Sequence, residues 1–197
     1  MVEKWRGKVA IITGASSGIG AKIFVDFARH GIKVVGLARR LERIEALIEN
    51  FDGVKENLFA LHCDVSDTQS ITEAFKVIEE KYGVINILVN NAGVCKNLNI
   101  LDHGENSFLK LNETIDTNIR GLLQCTREAY KLMDRSDEFG LIININSISG
   151  HNIPFMSFQS NVYSATKHAV TAITETVRQE LIISGKQKIR VAVSANI

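Results

Sequence analysis

The sequence has few cysteines and no excess of charge of either sign. Its three cysteines, Cys63, Cys95 and Cys125, are odd in number, widely spaced and without a Cys-x-x-Cys pair, which argues against a disulfide framework or a zinc site. We expect them to be small buried hydrophobic residues in a reducing compartment. The formal net charge is only +1 over 197 residues. Such a chain has no overall field that would attract nucleic acid or anionic lipid.

Long hydrophobic runs are also missing. No apolar stretch approaches the length that crosses a bilayer, and the first residues, MVEKWRGK, are charged and lack the apolar core of a signal peptide. We therefore expect a cytoplasmic protein with no membrane span and no nucleic-acid partner. Hydrophobic residues make up 45% of the chain and charged residues 23%, a balance typical of globular proteins, and the length suits one domain.

Short β-prone runs alternate with longer helical patterns along the chain. Most of the short runs are almost continuously apolar, as in strands buried on both faces of a sheet. The pattern predicts strands at 8–13, 33–38, 58–63, 85–90, 141–146 and 189–194. It predicts helices at 19–30, 40–50, 67–82, 113–133 and 163–184, the third capped by Ser66 with Gln69. This alternation indicates an α/β domain with a doubly wound parallel sheet over residues 1–197, which binds ligands beyond the carboxyl ends of its strands.

A glycine-rich segment, TGASSGIG, joins the first predicted strand to the first helix. Its glycines, Gly14, Gly18 and Gly20, would let the backbone approach a pyrophosphate, whose negative charge the helix N-terminus favours. The spacing differs from the G-x-G-x-x-G fingerprint, and a merely flexible loop is the alternative interpretation. The segment predicts a variant dinucleotide site.

The ends of the second and third predicted strands bear on the choice of cofactor. An acidic residue at position 38 would bind a ribose 2′-hydroxyl. That position is alanine, and Arg39 and Arg40 follow it. Guanidinium groups match phosphate geometry, which favours NADP over NAD. Two solvated arginines at a helix start are the alternative. Asp64, after the third strand, is either a ligand of the adenine amine or an ordinary loop aspartate.

The residues of a proton-transfer site follow the fifth strand. Ser147 ends that strand, and Tyr163 and Lys167, in YSATK, share one face of the next helix. The alternative interpretation is that Ser147 is an ordinary turn residue and that Tyr163 and Lys167 belong to an ordinary amphipathic helix. Because strand end and helix start lie on the same rim, the three side chains can converge. The lysine cation would lower the pKa of the tyrosine, which could then exchange a proton with an alcohol or carbonyl oxygen beside a nicotinamide.

Together these motifs resemble those of the classical short-chain dehydrogenase/reductases. TGASSGIG, Asn90-Asn91-Ala92-Gly93, Asn118, Ser147 and YSATK follow the family's order and spacing, from about residue 5 to about residue 191. The resemblance is strongest to NADP-dependent members that act on hydrophobic alcohols and ketones, such as steroids and isoprenoids like farnesol. It also implies a homodimer formed through helices 113–133 and 163–184.

The resemblance implies a role for individual residues. It implies a cofactor site made by Gly14, Ser16, Ser17, Gly18, Ile19, Gly20, Arg39, Arg40, Asp64, Val65, Asn91, Tyr163 and Lys167. It implies a catalytic set of Asn118, Ser147, Tyr163 and Lys167. In that set the tyrosine is the acid/base, the lysine lowers its pKa and binds the ribose, the serine binds the substrate oxygen, and the asparagine anchors a proton-relay water.

The chain departs from the family at its end. Members of the family run to about 250 residues, whereas here Asn196 and Ile197 stand where the family has a Pro-Gly turn. We expect a form that lacks the final strand and the segment covering the substrate. A second interpretation is therefore a catalytically impaired form that binds cofactor or dimerises with a full-length relative. The segment 150–162, with Ile153, Phe155, Met156 and Phe158, is either a wall of an apolar substrate pocket or a packing loop.

Overall fold

A computed structural model describes residues 2–153 and 160–196. Its strands are β1 (Val9–Thr13), β2 (Lys33–Ala38), β3 (Leu58–His62), β4 (Ile87–Asn90), β5 (Gly140–Ser147) and β6 (Ile189–Asn196). Its α-helices are α1 (Gly18–Arg29), α2 (Leu41–Glu49), α3 (Thr68–Tyr82), α4 (Ser107–Ile115), α5 (Leu122–Met133) and α6 (Tyr163–Ile183). A π-helical segment, Asp116–Gly121, joins α4 to α5, and a short 3-10 turn, Ile148–Gly150, follows β5.

The six strands form one parallel sheet in the order β3-β2-β1-β4-β5-β6. The chain moves outward from β1 to β3 and then returns to the other side of β1 with β4. In open α/β sheets a ligand crevice forms at this reversal, beyond the carboxyl ends of the strands. The fold therefore places a cleft above β1 and β4.

Alternating residues of the strands build a core on each face of the sheet. Val9 and Ile11 of β1 face the core that α3, α5 and α6 cover. Ala10 and Ile12 face the opposite core, against α1 and α2. Because strand side chains alternate between faces, continuously apolar strands are what a sheet with helices on both sides requires. The predicted doubly wound α/β fold is confirmed.

The strand bounds agree with the prediction to within two residues, but two helical details were wrong. The helix predicted at 113–133 begins at Ser107 and is interrupted by the π-helical segment. The cap of α3 is Asp67, whose Oδ1 accepts a hydrogen bond from the Gln69 main-chain N at 2.9 Å. Ser66 instead donates its hydroxyl to Asp64 Oδ1 at 2.6 Å. The Ser66 hydroxyl is thus bonded to Asp64 and does not cap α3.

Candidate active site

A cleft with two ends lies above the carboxyl ends of β1, β4 and β5. Its ends are named after the sites that the sequence predicts there: the nucleotide end has a volume of about 310 Å³ and the catalytic end one of about 320 Å³. The two ends share Ile19, Asn91, Gly93 and Val94, so they are continuous. Predicted cofactor residues that line the nucleotide end are Gly14, Ser16, Ser17, Ile19, Arg39, Arg40, Asp64, Val65 and Asn91. Three predicted catalytic residues, Ser147, Tyr163 and Lys167, line the catalytic end.

The glycine-rich loop is held tightly against the segment after β4. Gly14 has a positive φ of +68°, and a Cβ there would lie 2.9 Å from the Cα of Ala92. A Cβ at Gly20 would lie 2.5 Å from the Gly14 oxygen. Asn91 Nδ2 donates to the Thr13 main-chain oxygen at 2.9 Å. These two glycines are therefore required by packing within the protein, and the Asn91 amide holds the loop.

The start of α1 is suited to an anion. The Ser17 side chain makes no capping hydrogen bond, and no acidic residue lies in the first turn. Gly18 has a positive φ of +56° and open space around the position of a Cβ. Backbone N–H groups at a helix N-terminus attract phosphate through their hydrogen bonds and the helix dipole. The loop thus has the features of a pyrophosphate cradle.

Two arginines lie at the far corner of the nucleotide end. Arg40 Nη2 donates to Ser17 Oγ at 3.3 Å, and Arg39 Nη1 lies 3.9 Å from Asp64 Oδ2. Burial alone would raise the pKa of Asp64, but hydrogen bonds from Ser66 and the charge of Arg39 hold it below its ordinary value. The corner thus keeps its carboxylate ionised and presents two guanidinium groups.

Tyr163 and Lys167 lie on the first turns of α6. Lys167 is only 7% exposed, and its Nζ donates to the Ile145 main-chain oxygen at 2.9 Å. The same nitrogen lies 5.7 Å from the centroid of the Tyr163 ring. Burial lowers the pKa of Lys167, because an apolar environment disfavours the charged form.

The net shift of the Tyr163 pKa is upward, opposite to the expected lowering. Burial raises the pKa of Tyr163 above its ordinary value, and the neighbouring Ser147 hydroxyl only partly opposes this shift. Cys95 on the opposite wall adds to it. Burial of the phenol therefore outweighs the groups around it. Ser147 Oγ also accepts a hydrogen bond from the Ser149 main-chain N at 3.2 Å, which starts the turn after β5.

Asn118 lies in the π-helical segment and is 2% exposed. Its Oδ1 accepts from the Val94 main-chain N at 2.8 Å, and its Nδ2 donates to the Val94 oxygen at 2.9 Å and to Thr166 Oγ1 at 3.0 Å. Both amide hydrogens are therefore used to hold the wall of the cleft to α6. π-Helical turns occur often at functional sites, and the role of Asn118 as a water anchor stays a prediction.

Some residues of the site were not predicted. Cys95 and Asn146 both line the catalytic end, and each lies close to a recognised motif: Cys95 lies two residues after the NNAG segment, and Asn146 precedes Ser147.

Cys63 and Cys125 are buried as expected, but Cys95 is exposed, so the expectation was wrong for it. Phe155, Met156 and Phe158 lie outside the described residues. Within the described ranges, no helix is long and apolar enough to cross a membrane.

The short chain dehydrogenase family matches residues 8–195. The chain belongs to this family. This short-chain dehydrogenase is 49% identical over 187 residues to farnesol dehydrogenase of Aedes aegypti, covering 94% of the chain and 75% of that relative. It is 41% identical over 183 residues to dehydrogenase/reductase SDR family member 11 of Homo sapiens, covering 91% of the chain and 69% of the relative.

Solved structures of short-chain dehydrogenases share its fold. One from Burkholderia phymatum, in complex with NAD, is similar with a TM-score of 0.87 and 25% identity, over 98% of this chain and 66% of that one. One from Mycobacterium marinum is similar with a TM-score of 0.86 and 30% identity, over 96% of this chain and 74% of that one. The chain therefore belongs to a family of oxidoreductases whose fold binds a nicotinamide cofactor.

Proposed function

We propose that this short-chain dehydrogenase is an NADP-dependent oxidoreductase that interconverts a hydrophobic alcohol and its carbonyl compound. The observation that carries the proposal is the meeting of Ser147, Tyr163 and Lys167 at one end of the cleft, with a phosphate-binding loop at the other. Such a cleft brings a proton donor, a hydroxyl and a cation to the place where a nicotinamide would exchange a hydride.

In this proposal Tyr163 is the acid/base. Its phenol, whose pKa burial raises, is protonated at neutral pH and can donate that proton to the oxygen of a carbonyl substrate, although the raised pKa makes it a weaker acid. The Ser147 hydroxyl, beside it, would hold the same oxygen. The Lys167 ammonium lies close enough to stabilise negative charge that develops on the phenol when the proton leaves.

The choice of NADP rests on the corner formed by Ser17, Arg39 and Arg40. A carboxylate at Ala38 would repel a 2′-phosphate, and that position is alanine. The two guanidinium groups and the Ser17 hydroxyl lie around the same end of the cleft. Paired guanidinium donors are well matched to a phosphate group. These residues would hold the 2′-phosphate, and the start of α1 would hold the pyrophosphate.

An apolar substrate is supported by the surface beside the catalytic end. Ile19, which lines both ends of the cleft, is 48% exposed. The similarity to a farnesol dehydrogenase supports an isoprenoid-like alcohol or its aldehyde. Exposed aliphatic side chains near a reactive site favour such substrates, because binding removes apolar surface from water.

The test is an assay of the purified chain in both directions. NADPH oxidation would be followed with a series of ketones and aldehydes of increasing apolar length, and NADP reduction with farnesol and a short alcohol. We expect turnover that increases with apolar length and prefers NADPH to NADH. Absence of turnover with every substrate would overturn the proposal.

A second candidate is a form that binds cofactor and partners without turning over substrate. The observation that favours it is β6, which lies at the edge of the sheet among the described residues. An unpaired edge strand is a template for pairing with another chain. NADPH binding without turnover, together with capture of a full-length relative, would support this candidate over the first.

We also propose a cytoplasmic homodimer. A groove between α5 and α6, with a volume of about 490 Å³, is lined largely by apolar residues that include Leu123, Tyr130, Ile173 and Val177. Burying such a groove against a second copy would remove apolar surface from water.

The proposed cytoplasmic location is supported by the cysteines. Free thiols at all three of them are typical of a reducing compartment.

A further inference from the structure

The hydroxyl of Thr171 joins three elements of the active site. Its Oγ1 accepts a hydrogen bond from Asn146 Nδ2 at 2.9 Å and donates to the Gly150 main-chain oxygen at 3.0 Å. Asn146 precedes Ser147 on β5, Gly150 ends the turn that Ser147 begins, and Thr171 lies one turn of α6 beyond Lys167. One side chain therefore ties the strand end, the turn and the helix together.

The turn after β5 is packed so closely against α6 that a side chain at Gly150 would not fit. A Cβ at Gly150 would lie 2.5 Å from Asn146 Nδ2 and 2.7 Å from the Lys167 main-chain oxygen. Asn146 itself is 3% exposed. Because close-packed groups transmit displacements, a shift of this turn would move Ser147 relative to the first turns of α6.

Thr171 differs from a threonine that serves only its own helix. Thr176, exposed on the same helix, donates to the Ala172 oxygen at 3.0 Å, four residues back. The corresponding bond of Thr171, to the Lys167 oxygen, is longer at 3.4 Å than its bond to Gly150. The hydroxyl is thus directed at the turn after β5. Helical threonines otherwise tend to bond back to their own helix.

The Asn146 amide depends on this single threonine. Its Oδ1 has no hydrogen-bond partner among the described residues, and its Nδ2 donates to Thr171. Buried polar groups are rarely left unpaired, because losing the partner of a buried amide costs its full desolvation. Removing the hydroxyl would therefore release both the amide and the turn.

We infer that Asn146 and Thr171 are positioning residues that, through Gly150, hold Ser147 in place against Tyr163 and Lys167 and so set the rate of the chemical step. The inference rests on the proposed function, since it concerns the reaction of that same cleft. Neither residue lines the nucleotide end. We therefore expect their loss to affect the chemical step more than the binding of the nucleotide.

The first test is Thr171→Val, which keeps the shape of the side chain and removes its hydrogen bonds to Asn146 and Gly150. We expect the rate of hydride transfer in a single turnover to fall about ten- to a hundredfold, as misplacement of a reacting group does. The dissociation constant for NADPH should change by less than about twofold. Thr171→Ser, which restores the hydroxyl, should recover most of the rate. Thr72→Val on α3, whose exposed hydroxyl donates to the Thr68 oxygen at 2.9 Å, is the matched control and should behave as wild type.

A second readout does not require turnover. The ionisation of Tyr163 can be followed by the ultraviolet absorbance of phenolate, with Tyr163→Phe subtracted. The groups that face this phenol are Ser147 on β5, Cys95 in the segment after β4 and Lys167 on its own helix. Since Ser147 lowers the pKa of Tyr163, releasing it in Thr171→Val should raise that pKa further, whereas Thr171→Ser and Thr72→Val leave it unchanged.

The two readouts separate this inference from the proposed function. If the wild-type chain turns over no substrate, the proposed function fails, and the titration alone decides the positioning role. A wild-type rate in Thr171→Val, or an unmoved titration where no turnover is measurable, overturns the inference. It is also overturned if Thr171→Val loses NADPH binding and helical content together, because the hydroxyl then serves the whole fold.

Discussion

The Nζ atom of Lys167 donates a hydrogen bond to the main-chain oxygen of Ile145 at 2.9 Å, two residues before Ser147. The lysine on α6 is therefore anchored to the same strand end that carries the serine. Its ammonium lies 5.7 Å from the centroid of the Tyr163 ring. Three candidate catalytic groups thus depend on one junction between β5 and α6. Substitutions at this junction should lower the rate of the chemical step first.

Removing the phenol hydroxyl should stop the reaction without releasing the cofactor. In Tyr163→Phe, we expect kcat to fall by roughly 10²- to 10⁴-fold, the usual contribution of a general acid. NADPH binding, measured by fluorescence titration, should stay close to wild type, because the proton is used only in the chemical step. Tyr82→Phe, at the end of α3 and outside the cleft, is the control. A near-normal rate in Tyr163→Phe would move the acid elsewhere.

The preference for NADPH should depend on Arg39. Arg39→Ala should weaken NADPH binding roughly ten- to a hundredfold, since a lost charge-assisted contact typically costs about 1.5–3 kcal/mol. NADH, which has no 2′-phosphate, should bind as before. Both dissociation constants would be measured by titration, with Arg43→Ala, exposed on α2 and outside the cleft, as the control. Equal weakening of both cofactors would contradict the assignment of Arg39 to the 2′-phosphate.

Stability should fall in alkaline solution because burial raises the pKa of two buried thiols, those of Cys63 and Cys125. For Cys63, the pKa rises from 9.0 to about 12. Below pH 9 the thiol is protonated in both folded and unfolded chains, and between those values only the unfolded chain ionises it. The free energy of unfolding should therefore decrease with rising pH in that window.

The slope identifies the residue responsible. Wild type should lose at most about 1.4 kcal/mol more per pH unit than Cys63→Ala, as measured by urea unfolding at several pH values. Cys95→Ala, at the exposed cysteine, should keep most of the wild-type slope. Identical slopes for wild type and Cys63→Ala would show that this thiol does not control alkaline stability.

The groove between α5 and α6 should be the dimer interface. Leu123, at its rim, is 37% exposed, so Leu123→Asp should leave the monomer folded and bury an unpaired charge only in the dimer. We expect a dimeric mass for wild type and a monomeric mass for the variant in light scattering at micromolar concentration. Val77→Asp, on α3 and 38% exposed, is a matched control. A monomeric wild type would rule out the proposed dimer.

The edge of the sheet at β6 should limit solubility. The strand Ile189–Asn196 pairs with β5 on one side, and Arg190 is its one charged residue. Charged residues, lysine above all, protect natural edge strands from pairing with other chains. Val193→Lys, at a position that is 38% exposed, should therefore increase the soluble fraction after centrifugation. Val77→Lys, equally exposed but away from the edge, should not.

The parts predicted from the sequence are those that local chemistry determines. A strand covered by helices on both faces must be apolar throughout, so β1, β2 and β4 stand out as unbroken runs. Gly14 and Gly18 have positive φ values, and residues other than glycine adopt such values only at a cost. The loop between β1 and α1 is recognisable for that reason.

The parts missed depend on contacts between distant residues. The pKa of Tyr163 follows from its burial, which the spacing of Tyr163 and Lys167 does not reveal. The π-helical turn places Asn118 between Val94 and Thr166, two partners far from it in sequence. The beginning of α4 was missed although Phe108, Leu111 and Ile115 recur at helical spacing. Phe108 and Leu109 are 71% and 59% exposed, so its first turn lacks the buried face that such spacing usually marks.

The order of the strands also bears on how the chain can fold during synthesis. From β1 through β4 and β5 to β6, position in the sheet follows position in the chain. Each of these strands, on leaving the ribosome, meets an open edge of sheet already made, so the sheet can grow by addition without threading. Apart from Thr117, the residues that line the nucleotide end come from the first 94 residues. The half of the cleft that would hold a nucleotide can thus assemble before the residues that would do chemistry exist.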